Sequence, residues 1–175
     1  MIKSLNKTLL LLMAVINCQS ISAQEKNPLD KIDLTKIMMH LDWAGMAYFD
    51  DQNHAVDPTK NEGRVVFMGN SITQGWMHYM PNMFDNQTYI NRGIGGQTTS
   101  QMLLRFRQDV IAHKPKAVVI LAGTNDIAGN TPLRDLETVA GNLFSMAELA
   151  LQHNIKVILC SVIPAKEYPW RKGKR

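Results

Sequence analysis

Residues 64–76 read RVVFMGNSITQGW, an apolar run that halts at Gly69 and gives way, two positions on, to Ser71 at the head of an amphipathic stretch. Valine and phenylalanine favour a pleated strand, glycine permits a sharp turn, and a small hydroxyl residue after that turn marks a helix start. The segment predicts strand, turn, helix. Ser71 has two readings there. It is a hydroxyl capping the helix, or a nucleophile set where free backbone N–H groups and the positive end of the helix dipole favour a developing oxyanion. Taken alone, the turn divides evenly between them. It does not match a G-x-S-x-G elbow, because Thr73 stands where the second glycine belongs.

The same alternation continues outward. Further apolar runs are TYINRGI (88–94), AVVILAG (117–123) and KVILCSVI (156–163), and helical patterns fall between them at about 71–84, 98–113 and 132–154. Three of the four runs are nearly unbroken in valine and isoleucine, as strands covered on both faces are. Strands alternating with helices through tight glycine turns predict a parallel sheet with helices on both faces, an α/β/α three-layer, flavodoxin-like fold. Upstream, LTKIMMHLDWAGMAYF (34–49) repeats apolar residues at helical spacing (Ile37, Leu41, Ala44, Tyr48), predicting a helix docked outside the domain. DDQNHAVDPTKNEG (50–63) reads as a loop.

The first residues place Lys3 and Lys7 before an apolar run at 9–16 and a polar stretch ending at Ala23. This is the layout of a secretory signal peptide, and the run is too short to span a bilayer. Cleavage after Ala23 is the reading adopted, with a secreted or periplasmic destination. A lipid anchor on Cys18 fits less well, since Asn17 is a poor residue before a lipidated cysteine. The chain thus divides into a leader (1–23), a helical extension and loop (24–63) and one α/β domain (64–175). The formal charge of +4 falls to +2 without the two leader lysines, and to −2 without the four basic residues of RKGKR at 171–175. The pI of about 9.1 therefore reports the two chain ends and gives no reason to propose a nucleic-acid partner. Cys160, inside an apolar run, is expected as a small buried core residue with no disulfide partner.

In a parallel sheet the loops after the strands share the C-terminal edge, where ligands bind. Three turns matter there. The first carries Ser71. The second, NRGIGGQTTSQML (91–103), offers bare backbone N–H groups at Gly95 and Gly96 before a helix that Thr98 or Thr99 could cap. It lacks the third glycine of a dinucleotide fingerprint and the Gly-Lys of a Walker loop, so phosphate binding is weakly supported. The third, LAGTNDIAGNT (121–131), delivers Asn125, whose amide can hydrogen-bond an oxyanion without titrating, or can simply bond its own turn. For Asp126 a bond to its own turn is the favoured reading. Serine, glycine and asparagine, each just past its own strand, converge on one spot.

On the blocks GNSIT, NRGIGGQTT and GTND the sequence resembles the SGNH or GDSL hydrolases, and DWAGMAY resembles an extension seen in secreted bacterial members. The resemblance covers about residues 64–163. It implies Ser71 as nucleophile and backbone oxyanion donor, Gly96 as second backbone donor, Asn125 as side-chain donor, and hydrolysis of an ester through an acyl-enzyme without metal or cofactor. Asn70 stands where the first block usually has aspartate. The family's base is a histidine in a D-x-x-H pair after a fifth strand, and no such pair follows the fourth run here. The domain is therefore expected to be incomplete at its C-terminus, lacking the fifth strand and last helix, and the 175-residue chain to be an impaired esterase. His113 and His153, at the far ends of long helices, lie some 15 residues and so roughly 20 Å from the catalytic edge. His78 is about 10 Å down its own helix axis by the same rise. His40 and His54 read as exposed or packing residues. An O-acetylated carbohydrate is the expected substrate. Tyr168 and Trp170 are candidates to stack on a sugar, whereas Trp76 reads as a packing aromatic. A non-catalytic carbohydrate-binding relative is the alternative; oligomeric state is left open.

Overall fold

The computed structural model describes residues 37, 41–132 and 135–172. The chain divides into two units, Met1–Ile37 and Met38–Arg175, of which the second holds the sheet. The leader expected at residues 1–23, and His40, lie outside the described residues.

Four parallel strands form one sheet: β1 (Val65–Gly69), β2 (Tyr89–Gly93), β3 (Ala117–Leu121) and β4 (Lys156–Leu159), in the order β2-β1-β3-β4. β1 is central, with Gly69 level with both Gly93 and Leu121, so three strands end at one height. Between them run α2 (Ser71–Tyr79), α3 (Thr99–Asp109), a single turn α4 (Thr124–Ile127) and α5 (Leu136–Gln152). Alternation along the strands sorts the layers. Val66, Met68, Val118 and Ile120 are fully buried with Met102 and Phe106 of α3 and Met146 and Ala150 of α5. On the opposite face Phe67 meets Trp76 of α2, ring centroids 5.7 Å apart. The α/β three-layer arrangement read from the sequence is the observed one.

Helix limits follow local chemistry. Pro81 opens a separate 3₁₀ turn, Pro81–Phe84, so the helix expected through residue 84 ends at Tyr79. Thr98 caps α3 through a capping box with Gln101. Upstream the structure differs from the sequence reading. Gly45 adopts a left-handed conformation (φ 67°), which breaks the helical pattern, and a 3₁₀ turn, Met46–Phe49, starts with its N–H groups on the Asp42 carboxylate. The expected loop begins instead with a helix, α1 (Asp50–Ala55), whose first-turn Asp50 and Asp51 suit the dipole.

Cys160 is exposed rather than buried. The strand preceding it is paired only with β3, and Ile158 and Leu159 are 44% and 47% exposed. Among the described residues no further strand covers that edge, so an apolar run does not there imply burial.

Candidate active site

Gly69 ends β1, and a Cβ on it would run into the Thr73 hydroxyl, so the close return of α2 over the strand requires glycine. The cap of α2 is Asn70. Its Oδ1 accepts the Ile72 N–H at 3.0 Å and its carbonyl accepts the Gln74 N–H. Of the two readings of Ser71, the structure removes the cap: Asn70 holds it, and Ser71 is the first helical residue. It is exposed, and its hydroxyl has no hydrogen-bond partner among the described residues. Its own N–H is one of the first-turn donors that no helical carbonyl can reach.

The second turn lies against the first. Ile94 N–H donates to the Gly69 carbonyl at 3.1 Å, and a Cβ built on Gly95 would stand 3.9 Å from the Ser71 Cβ. Gly95 and Gly96 are exposed, and Gly96 takes φ 78°, a left-handed conformation costly to a residue with a side chain. Among the described residues the Gly96 N–H has no acceptor.

The third turn lies against the second. Asn125 is buried, and one N–H of its Nδ2 donates to the Gln97 carbonyl at 2.9 Å, leaving the other uncommitted. Gln97 is itself fixed, receiving Arg105 Nε on its Oε1 at 2.6 Å and donating Nε2 to the Ala44 carbonyl. Asp126 does not bond its own turn. Its buried carboxylate crosses to α3, accepting the Thr99 N–H at 3.0 Å and the Thr99 hydroxyl at 2.6 Å. The sequence reading missed this brace, as it missed Asn130, whose Nδ2 donates to the Gly96 carbonyl at 3.1 Å.

Ser71, Gly96 and Asn125 are thus the exposed or inward points of three turns cross-linked by hydrogen bonds. A cavity of about 280 Å³ is lined by Asn70 and Ile72 on either side of Ser71, by Thr124 before Asn125, and by Leu121, Val162 and Ile163. A larger cavity, about 440 Å³, lies against Phe49, Met77, Phe84 and Arg92, but each nitrogen of the Arg92 guanidinium there already hydrogen-bonds Asn53 or the Asn91 carbonyl. Uncommitted donors gather at the turns. Tyr168 is buried, with the Thr124 hydroxyl 3.4 Å from its own, and its ring backs that of Trp170, which is 56% exposed.

The described histidines stand apart from Ser71. His54 Nδ1 lies 2.7 Å from the Asp50 carbonyl, within its own helix. His78 is in the last turn of α2 and packs on Tyr79. His153 ends α5, just before β4 begins. His113 is buried; its carbonyl accepts from Arg64, the residue before β1, which puts it at the opposite edge of the sheet. Burial, then the charges of Arg92 and Arg64, push its pKa down to about 4. Among the described residues no three His, Cys, Asp or Glu are grouped to hold a metal ion, and no helix is long and apolar enough to cross a membrane.

Comparison with known proteins gives the chain a family. The family model described as GDSL-like Lipase/Acylhydrolase family matches residues 67–175. The crystal structure of a GDSL-like lipase from Bacteroides thetaiotaomicron is 53% identical, with a TM-score of 0.70 over 74% of this chain and 63% of that one. An uncharacterized lipoprotein of Bacillus subtilis, YqeF, is 42% identical over 61% of this chain and 52% of its own length. Platelet-activating factor acetylhydrolase IB subunit alpha1 of Rattus norvegicus is 30% identical over 65% and 49% respectively. The chain spans about half the length of these curated relatives.

Proposed function

The chain belongs to the GDSL-like lipase/acylhydrolase family, and from that premise we propose that it is a serine ester hydrolase with Ser71 as nucleophile. Ser71 Oγ adds to the ester carbonyl carbon and the C=O electron pair moves onto oxygen. The N–H groups of Ser71 and Gly96 and the uncommitted N–H of Asn125 hold that oxyanion. Collapse expels the alcohol, which takes up the serine proton through water, and leaves Ser71 acylated. Water then attacks the acyl-enzyme in the same way, releasing the acid and restoring the hydroxyl. The observation that carries this reading is an exposed serine hydroxyl at a helix start, beside a turn with a glycine N–H and a buried, tethered amide, the hydroxyl and the N–H having no partner among the described residues.

None of the described histidines faces Ser71, so the 175-residue chain is a feeble esterase, its rate resting on binding and the oxyanion donors. In the serine-protease template those two alone leave about 10³–10⁴-fold acceleration over water. The substrate class we propose is an O-acetyl ester on a carbohydrate. The relative from rat is named an acetylhydrolase, and the exposed face of Trp170 offers a sugar ring a stacking surface, with Tyr168 supporting it from beneath. We propose export on the leader-like residues 1–23, with residue 24 as the mature N-terminus; a lipidated Cys18 in the mature protein's mass spectrum would overturn that cleavage site and leave export standing.

Hydrolysis of a small acetyl ester by the purified chain is the test. Weak turnover that vanishes in Ser71→Ala is expected. Turnover that is absent, or unchanged by the substitution, rejects the enzyme. Binding of an acetylated oligosaccharide without hydrolysis would then favour a non-catalytic carbohydrate-binding relative.

A further inference from the structure

Asn130 touches both turns that carry the proposed oxyanion donors. Its backbone N–H donates to the Asn125 carbonyl at 3.0 Å, and its Nδ2 donates to the Gly96 carbonyl at 3.1 Å. Its Oδ1 accepts the indole N–H of Trp170 at 3.2 Å. These partners are one-sided, since an indole nitrogen only donates and a carbonyl only accepts, so the carboxamide can sit only one way round. Trp170 in turn belongs to a tight turn near the chain's end, closed by the Arg171 N–H on the Tyr168 carbonyl and seated through buried Tyr168.

We propose that Asn130 is a positioning residue for the oxyanion hole, and that Trp170 acts through it by fixing the orientation of its carboxamide. The physical case rests on Gly96. In a left-handed conformation flanked by Gly95, the Gly95–Gly96 peptide plane meets little steric restraint, and its rotation would turn the Gly96 N–H away from the oxyanion. The hydrogen bond from Asn130 fixes the next peptide plane, that of the Gly96 carbonyl, and so limits the rotation about the Gly96 Cα through which the N–H could turn, and the same residue ties the restraint to the backbone of Asn125. Both donors are thereby held in mutual register before substrate arrives, which is what preorganised electrostatic stabilisation requires. The indole N–H gives Trp170 a role separate from any stacking by its ring face.

This rests on the reading of Gly96 and Asn125 as oxyanion donors, and the test keeps the two apart. Kinetics of the full chain on a small acetyl ester should show Asn130→Ala lowering kcat about tenfold with KM within about twofold, as expected when a donor is displaced rather than substrate affinity lost. Trp170→Phe, which keeps a ring face and loses only the N–H, should lower kcat about threefold, and the double variant should fall no further than Asn130→Ala, because the two act in one chain. Losses that multiply in the double variant, or a wild-type kcat in Asn130→Ala, overturn the proposal. Independently of turnover, the ¹⁵N–¹H NMR signal of Gly96 should shift and broaden in Asn130→Ala. A signal identical to wild type also overturns it. An inactive wild-type chain whose Gly96 signal moves as expected would sink the esterase reading and leave the positioning role standing.

Discussion

Two clusters of polar groups meet at Gln97, and they are built on opposite terms. At the catalytic edge the groups are few and underused: the Ser71 hydroxyl and the Gly96 N–H have no partner among the described residues, and Asn125 spends one of its two amide hydrogens. On the other side of Gln97 lies a buried network in which every side-chain nitrogen and oxygen carries at least one hydrogen bond. Arg105 gives Nε to Gln97, Nη1 to Asp109 at 2.7 Å and Nη2 to the Arg92 carbonyl. Asn53 donates to Asp109 at 2.7 Å and accepts Arg92. Both guanidinium groups lie over the Phe49 ring, at 4.7 and 5.8 Å. Among the described residues no buried side-chain nitrogen or oxygen lacks a partner. The two clusters share residue types and differ in what is left over. A saturated network fixes shape; donors left over at the surface of that shape are available to a ligand.

The largest effect expected is on the saturated side. Arg105 and Asp109 are fully buried, and Arg105→Ala leaves the Asp109 carboxylate without its cation. Removing one partner of a buried pair costs about 3–5 kcal/mol, although the intact pair adds little net stability. Urea unfolding should show that loss, whereas Ser71→Ala, at an exposed and unbonded position, should shift stability by no more than about 0.5 kcal/mol. Equal effects from the two substitutions would erase the contrast.

The second effect is on chemistry. Asn125→Ala removes a proposed oxyanion donor and should reduce the Ser71-dependent rate by about 10²–10³-fold, a loss of about 2.7–4 kcal/mol in the transition state. Its ground-state bond to Gln97 is a single neutral one, so the accompanying loss of stability should be about 1 kcal/mol. Comparing kcat with the urea midpoint for this one variant measures how far the two clusters are separable. A variant that loses stability and rate in proportion would show that Asn125 belongs to the scaffold.

Much of the fold is legible in the sequence because its signals are local. The runs at 64–69, 88–94 and 117–123 are strands whose β-branched or aromatic residues and glycine stops sit within a few residues of each other. Thr98 and Gln101, three apart, announce their own capping box. Which turns share an edge also follows from parallel connectivity. What escapes depends on distant partners. Asn70 and Ser71 are both competent caps, and only the backbone path chooses between them. Asp126 reads as bonding its own turn because its true partner, Thr99, lies 27 residues away, and Asn53 gives no sign in sequence of reaching Asp109, 56 residues on. Cys160 reads as buried because its neighbours are apolar, but burial of an edge strand is decided by what packs beside it.

The smallest effect tests whether the saturated network answers to pH. His113 Nε2 lies 2.9 Å from Asn53 Oδ1 and 3.5 Å from Arg92 Nη2, with the Arg64 guanidinium on its carbonyl and Asp109 as the one nearby anion. Burial and two cations hold it neutral down to about pH 4, whereas in the unfolded chain it takes up a proton near pH 6.5. Between those values the unfolded state binds the extra proton. Stability is therefore full above about pH 6.5 and declines as the pH falls toward 4, by about 1–2 kcal/mol once solvent screening is allowed for. Thermal melts across that interval should show Tm falling, and His113→Gln should flatten the part of the slope that this ring contributes. The catalytic edge holds no described histidine, so serine labelling by a small organophosphorus probe, corrected for the folded fraction, should not follow the same curve. If labelling tracked Tm with a midpoint between about 4 and 6.5, the two clusters would be coupled through Gln97, and the saturated side would be setting the geometry of the open one rather than merely supporting it.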